Sequence, residues 1–141
     1  MDKELKREII LEHFSNPINK VDTVGDNYKL YNTRNPNCID NLDIYILIED
    51  NIIKDIKFNG EACSISTAST SIMIKNLIGK TIKSAREYIN NFDNMINELE
   101  YDESILNEGL CFNEIYKQNN RKNCALLPYK GIIKAIDDYE R

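Results

Sequence analysis

The stretch Leu42-Asp43-Ile44-Tyr45-Ile46-Leu47-Ile48-Glu49-Asp50-Asn51-Ile52-Ile53-Lys54-Asp55-Ile56-Lys57-Phe58-Asn59-Gly60 decides the architecture. Leu42–Ile48 is rich in β-branched and aromatic residues and reads as a strand. Glu49-Asp50-Asn51 is a turn signal. Ile52–Phe58 reads as the returning strand, with Ile52, Lys54, Ile56 and Phe58 alternating against Ile53, Asp55 and Lys57. The two make an antiparallel hairpin, closed by Asn59-Gly60. A hairpin brings its open ends together. Cys38, before it, and Cys63, after it, become neighbours although they are 25 positions apart (63 − 38).

Helices are expected on both sides. Leu5, Ile9, Ile10 and Phe14 recur at helical spacing within Lys3–Phe14, and Asn16-Pro17 ends that helix. Asn19 to Arg34 is loop-rich, with one short strand expected at Tyr28–Tyr31. Ser64 to about Leu77 reads as a helix with Gly79 at its C-terminal cap. Thr81 to about Leu99 is another, with Thr81 or Ser84 as N-cap and Ile82, Ala85, Ile89, Phe92 and Ile96 as its apolar stripe. Ser104 to about Lys117 is a shorter helical stretch. Gln118-Asn119-Asn120 reads as a loop, and Cys124–Tyr139 as the last helix, with Pro128 and Gly131 blurring its start. The result is α+β: an antiparallel sheet of about three strands with helices packed on one face.

A chain of 141 residues is expected to form a single domain, residues 1–141. It can bury roughly 70% of the surface its unfolded form exposes. The net charge of −5 argues against nucleic-acid binding, which needs clustered Lys and Arg. Met1-Asp2-Lys3-Glu4-Leu5-Lys6-Arg7-Glu8 is too charged for a signal peptide. No apolar run approaches the ~20 residues of a membrane helix. The expectation is a cytoplasmic protein away from the membrane, whose thiols stay reduced. Its four cysteines are therefore read first as metal or reactive sites.

Three cysteines fall at expected element boundaries. Cys38 precedes the hairpin, Cys63 opens a helix, and Cys124 starts the last one. Asp40 lies two residues after Cys38, and in an extended segment the two side chains point the same way. Cys38, Asp40, Cys63 and Cys124 can then form an S₃O tetrahedron, which zinc accepts; the same thiolates suit an iron–sulfur cluster. A helix start favours a thiolate at Cys63, which serves a metal ligand and a sulfur nucleophile equally.

The motifs around these residues carry a family likeness. Gly60-Glu61-Ala62-Cys63-Ser64-Ile65-Ser66-Thr67-Ala68-Ser69-Thr70-Ser71-Ile72-Met73 resembles the second-cysteine signature of SufU proteins. Asn35-Pro36-Asn37-Cys38-Ile39-Asp40 resembles the Asn-Pro-x-Cys-Gly-Asp motif of the NifU/IscU/SufU group. Arg121-Lys122-Asn123-Cys124-Ala125 resembles the third-cysteine motif, Arg-x-x-Cys-Ala in SufU. Glu12-His13-Phe14-Ser15-Asn16-Pro17-Ile18-Asn19 looks like the group's opening helix and turn. The 61 residues from Cys63 to Cys124 (124 − 63) resemble SufU, which carries an insertion there. Asn123 stands where IscU has a histidine. Ile39 replaces the motif's glycine, and a β-branched residue disfavours positive φ.

The resemblance implies a SufE/NifU-like fold and a role in iron–sulfur cluster assembly. By it, Cys38 is the thiol that accepts persulfide sulfur from a pyridoxal-phosphate cysteine desulfurase of the SufS kind, and the protein is a zinc-dependent sulfur acceptor. Downstream cluster assembly proteins are the implied receivers. Arg121 is the candidate contact for the thiolates or for a partner. One alternative is a scaffold that transiently binds a [2Fe-2S] cluster through the same four residues, with Asp40 as the labilising ligand. A second is a non-catalytic module with a structural metal site.

Other residues read more plainly. Cys111, between Leu110 and Phe112, is expected to be packed and inert. His13 is assigned a cap or hydrogen-bonding role. The Ser and Thr run after Cys63 lacks the glycine spacing of a phosphate loop, and Gly79-Lys80-Thr81 reads as a turn.

Overall fold

A computed structural model describes residues 1–141. Three strands, β1 (Lys29–Arg34), β2 (Asn41–Glu49) and β3 (Ile52–Glu61), form an antiparallel sheet in the order β1-β2-β3. Around it stand α1 (Lys3–Ser15), α2 (Ser64–Leu77), α3 (Ile82–Ile96), the short α4 (Glu103–Leu106) and α5 (Asn119–Tyr139).

The β2–β3 turn is built from Asp50 and Asn51, both with positive φ (53° and 60°). Two left-handed residues give a twist that matches the strands they join, and Asp and Asn tolerate that region. The alternation expected along β3 fails at its start. Leu47 pairs with Asp55 and Ile48 with Ile53, so Lys54 is an extra residue in the ladder. This bulge reverses parity. Ile53 is fully buried and Lys54 exposed, while Ile56 and Phe58 remain inside. The core face of the sheet is thus Leu42, Ile44, Ile46, Ile53, Ile56 and Phe58. Each such side chain contributes about 1.5–3 kcal/mol by leaving water.

The helices cover that one face. α5 lies across β1 and β2, and α2 packs on β3 and α5. Gly131 makes the approach of α5 close, since a Cβ there would sit 3.1 Å from Ile44 Cγ1. α2 is buried along most of its length, hydroxyl residues included. α1 packs on α2 and is pinned by His13, which is 5% exposed. The Glu108 carboxylate can only accept, so His13 Nε2–H donates to it (3.2 Å), and His13 Nδ1 hydrogen-bonds the Ser71 hydroxyl (2.7 Å), whose Oγ also accepts from Ile18 N–H (2.9 Å). Glu108 also accepts from Lys75 Nζ at 2.6 Å. His13 therefore has the hydrogen-bonding role expected of it.

Five boundaries differ from the sequence reading. The returning hairpin strand does not end at Phe58 but runs on through Asn59-Gly60 to Glu61, all of them paired with β2. The first strand is Lys29–Arg34, longer and later than Tyr28–Tyr31. The third helix ends at Ile96, before Leu99; Thr81 is its N-cap, accepting from Ser84 N–H at 3.1 Å. The expected helix at Ser104–Lys117 is a single α turn followed by 3₁₀ turns at Asn107–Phe112 and Ile115–Lys117. The Gln118-Asn119-Asn120 loop is a helix start, with α5 beginning at Asn119. Asparagine has weak helix propensity, but burial of the stripe that follows overrides it. No helix is long and apolar enough to cross a membrane.

Candidate metal centre

The open end of the hairpin, the start of α2 and the first turns of α5 converge on one point. One ligand atom from each of Cys38, Asp40, Cys63 and Cys124 lies within 4.8 Å of the others. Asn41 pairs with Glu61, which puts Asp40 beside Cys63.

Cys38 and Asp40 reach this point by a turn and not by the extended segment expected. Cys38 N–H donates to the Asn35 carbonyl (3.1 Å), and Asn37 N–H donates to Asn35 Oδ1 (3.1 Å). Asn35 N–H closes the loop on the Asp40 carbonyl at 3.1 Å. Ile39 is not among the residues of positive φ, so it sits without the strain a glycine position would impose, and its side chain is 69% exposed.

Asp40 is 1% exposed. Its Oδ1 accepts from Cys63 N–H at 2.7 Å and its Oδ2 from the Ser66 hydroxyl at 2.6 Å. Burial works against its carboxylate, but these hydrogen bonds, with those from the Cys124 and Cys63 thiols, hold its pKa below the ordinary value. Cys63 is the N-cap of α2, and its Sγ accepts from Ser66 N–H at 3.5 Å. Cys124 does not lie at a helix start as expected; it sits inside α5 and is 2% exposed. Asn35 Nδ2 points at its Sγ (3.9 Å), and the thiol reaches the Asn120 carbonyl (3.5 Å). Neither Ser66 nor Asn35 is singled out by sequence alone. The available signal is position: Ser66 is three residues beyond the N-cap, where a helix presents a free N–H.

The donor set fits a thiophilic metal. Three sulfurs and one carboxylate make a closed shell, and the spread of 4.8 Å is about 1 Å wider than the S···S edge of a tetrahedral zinc thiolate site. The same thiols suit an iron–sulfur cluster.

Burial pushes the Cys124 thiol up to about 12, and the charges of Cys63 and Asp40 add to the shift. At neutral pH this thiol is protonated, so a metal that binds it must displace the proton. Zinc affinity should therefore rise with pH, about tenfold per unit for each proton displaced, between pH 6 and 8. Competition with a chromophoric chelator measures this; a flat profile would remove Cys124 from the ligand set.

Arg121 borders the site and is half-buried. With Asn35, Asn37, Asn120, Asn123, Cys38 and Cys124 it lines a cleft of about 240 Å³. Negative charge on Cys63 raises its guanidinium pKa further, with Cys124 and Cys38 adding to it. Cys111 lies apart, 5% exposed within the core, and burial holds its thiol well above the usual range. It is the packed thiol expected.

Known proteins resemble this arrangement along nearly the whole chain. The NifU-like N-terminal domain matches residues 5–141. The zinc-dependent sulfurtransferase SufU of Bacillus subtilis is 35% identical over 133 residues, 94% of this chain and 89% of that protein. The iron–sulfur cluster assembly scaffold protein IscU of Thermotoga maritima is 30% identical over 108 residues, covering 77% of this chain and 76% of that one. The crystal structure of a SUF-system scaffold protein, SufU from Fervidobacterium islandicum AW-1, superposes with a TM-score of 0.82 at 33% identity, covering 92% of this chain and 94% of its own. The fold, the motifs and these likenesses agree: the chain belongs to the NifU-like N-terminal domain family.

Proposed function

We propose that this protein is a zinc-dependent sulfur acceptor of iron–sulfur cluster assembly. It would act in the cytoplasm, taking sulfur from a pyridoxal-phosphate cysteine desulfurase and passing it to downstream assembly proteins. Cys38, Asp40, Cys63 and Cys124 are the proposed metal ligands. When bound, zinc keeps its thiol ligands as thiolates at neutral pH.

One observation carries the assignment of Cys38 as acceptor. Cys63 and Cys124 sulfurs are engaged by hydrogen bonds, whereas Cys38 Sγ has none, and Cys38 is half-buried among the residues lining the cleft. This freedom from internal partners supports Cys38 as the thiol that meets a partner's sulfur. In the transfer, the Cys38 thiolate attacks the terminal sulfur of the desulfurase's cysteine persulfide. A new S–S bond forms on Cys38, the old one breaks, and the desulfurase cysteine leaves as thiolate. The step is redox-neutral overall. Arg121, which lines the same cleft, would meet the negative charge of that persulfide.

The test is the turnover of the cognate desulfurase with and without zinc-loaded protein. A large zinc-dependent rise in alanine release is expected. No rise from folded, zinc-loaded protein would overturn the reading.

A second reading, a scaffold for a [2Fe-2S] cluster as cargo, is favoured by the carboxylate among the thiols and by the likeness to IscU. A hard oxygen donor holds iron less firmly than thiolate. On this reading Asp40→Ala lengthens the life of a cluster assembled anaerobically, several-fold by absorbance decay. Unchanged or faster loss would count against it.

A further inference from the structure

The Ser66 hydroxyl is fully buried and has one proton for two acceptors. Asp40 Oδ2 lies 2.6 Å away and the carbonyl of Cys124 lies 3.0 Å away. That carbonyl is short of a partner for a definite reason. In a regular helix it would accept from the amide four residues on, but residue 128 is proline and has no N–H. The next carbonyl, Ala125, likewise accepts from a side chain of α2, Ser69 Oγ at 2.6 Å. A carboxylate and an unpaired carbonyl, both belonging to proposed ligand residues, thus compete for one proton.

We infer that Ser66 is a positioning residue that sets how firmly Asp40 is held for metal binding, and that Pro128 weakens this hold by leaving the Cys124 carbonyl to draw on the same hydroxyl. The inference rests on the proposed ligand set. Once a metal has taken the protons of the Cys63 and Cys124 thiols, and with the Ser66 hydroxyl turned to Asp40, the carboxylate is fixed by two donors, Ser66 and Cys63 N–H. With the proton on the Cys124 carbonyl, Asp40 keeps one and is freer to turn away. The pair therefore ties the lability of the one oxygen ligand to the helix that supplies Cys124. Thr70 Oγ1, which donates to the Ser66 carbonyl at 2.7 Å, fixes the backbone of this residue and leaves only its side chain to choose.

The experiment is a double-mutant cycle on Ser66→Ala and Pro128→Ala. Zinc release to excess chelator and the visible spectrum of the cobalt-substituted protein are read, with circular dichroism for fold and thermal melts for stability. Ser66→Ala should speed release about 10–100-fold, as removal of an outer hydrogen bond to a ligand does. It should also shift the cobalt bands. Pro128→Ala supplies an amide to the Cys124 carbonyl, so release should slow several-fold. In the Ser66→Ala background Pro128→Ala should leave release unchanged, because there is no hydroxyl to redirect. Thermal stability, by contrast, should respond to Pro128→Ala in both backgrounds. Ser66→Thr, which keeps the hydroxyl, should retain wild-type release, and covers the case in which Ser66→Ala does not fold. Equal effects of Pro128→Ala with and without Ser66, or no effect of it on release from the otherwise unaltered protein, would overturn the inference. A wild-type protein that takes up no stoichiometric zinc would overturn the ligand set instead.

Discussion

Cys38→Ala should reduce desulfurase stimulation by at least about two orders of magnitude, to the level of the desulfurase alone, while the protein stays folded. The fold should survive because the position is structurally light. Cys38 sits on a turn held by backbone bonds to Asn35, and its sulfur supports no neighbour through a hydrogen bond. Removing one half-buried sulfur costs little packing. Mass spectrometry after incubation with desulfurase and cysteine should find persulfide on the wild type and none on Cys38→Ala. A persulfide on Cys38→Ala would transfer the acceptor role to Cys63 or Cys124. Loss of any of the three thiols should lower zinc affinity, so the contrast lies in the persulfide: Cys63→Ala and Cys124→Ala, whose sulfurs are hydrogen-bonded within the protein, should still carry it on Cys38.

Gly60→Ala should destabilise the fold by about 2–4 kcal/mol and lower the melting temperature by roughly 6–12 °C. Gly60 has φ +122°, a region nearly closed to residues with a Cβ. The added Cβ would stand 2.2 Å from the Asn41 carbonyl oxygen and 3.2 Å from Leu42 Cα. Both are backbone atoms of the paired strand, so no side chain can swing aside. The strands must part where Asn41 meets Glu61, one residue from Asp40 and two from Cys63. Zinc affinity should fall together with stability. A melting temperature within about 2 °C of wild type would show that the strands separate there at little cost.

Much of this was readable in advance, and the exceptions have physical causes. The hairpin was legible because Leu42–Ile48 and Ile52–Phe58 are dense in β-branched and aromatic residues around an Asp-Asn turn. The bulge at Lys54 was not, because a single inserted residue leaves composition untouched and changes only parity. Cys38, Asp40, Cys63 and Cys124 were legible as a set through their flanking motifs. How Cys38 and Asp40 meet was not, since the turn depends on the Asn35 side chain accepting from Asn37 N–H. The start of α5 was hidden by asparagines that favour loops and by Pro128, which in other settings ends a helix. Pro128 is tolerated here because α2 offers hydroxyls to the carbonyls around it, a compensation visible only in three dimensions.

The hairpin is fastened at both ends. At its turn, Asn51 N–H donates to the Tyr139 hydroxyl (3.0 Å), Ile82 N–H to the Asn51 carbonyl (2.9 Å), and Ile53 N–H to the Lys80 carbonyl (2.9 Å). At its mouth, Cys63 N–H is bound to Asp40. Amide hydrogen exchange translates this into rates. Ladder amides of β2 and β3 should exchange only when the whole molecule opens, whereas Asn37 and Cys38, each held by one bond in a surface turn, should exchange through local opening many times faster. The residue proposed to receive sulfur thus rides on the fastest-opening backbone of the site, and the wall behind it keeps the slowest clock in the protein.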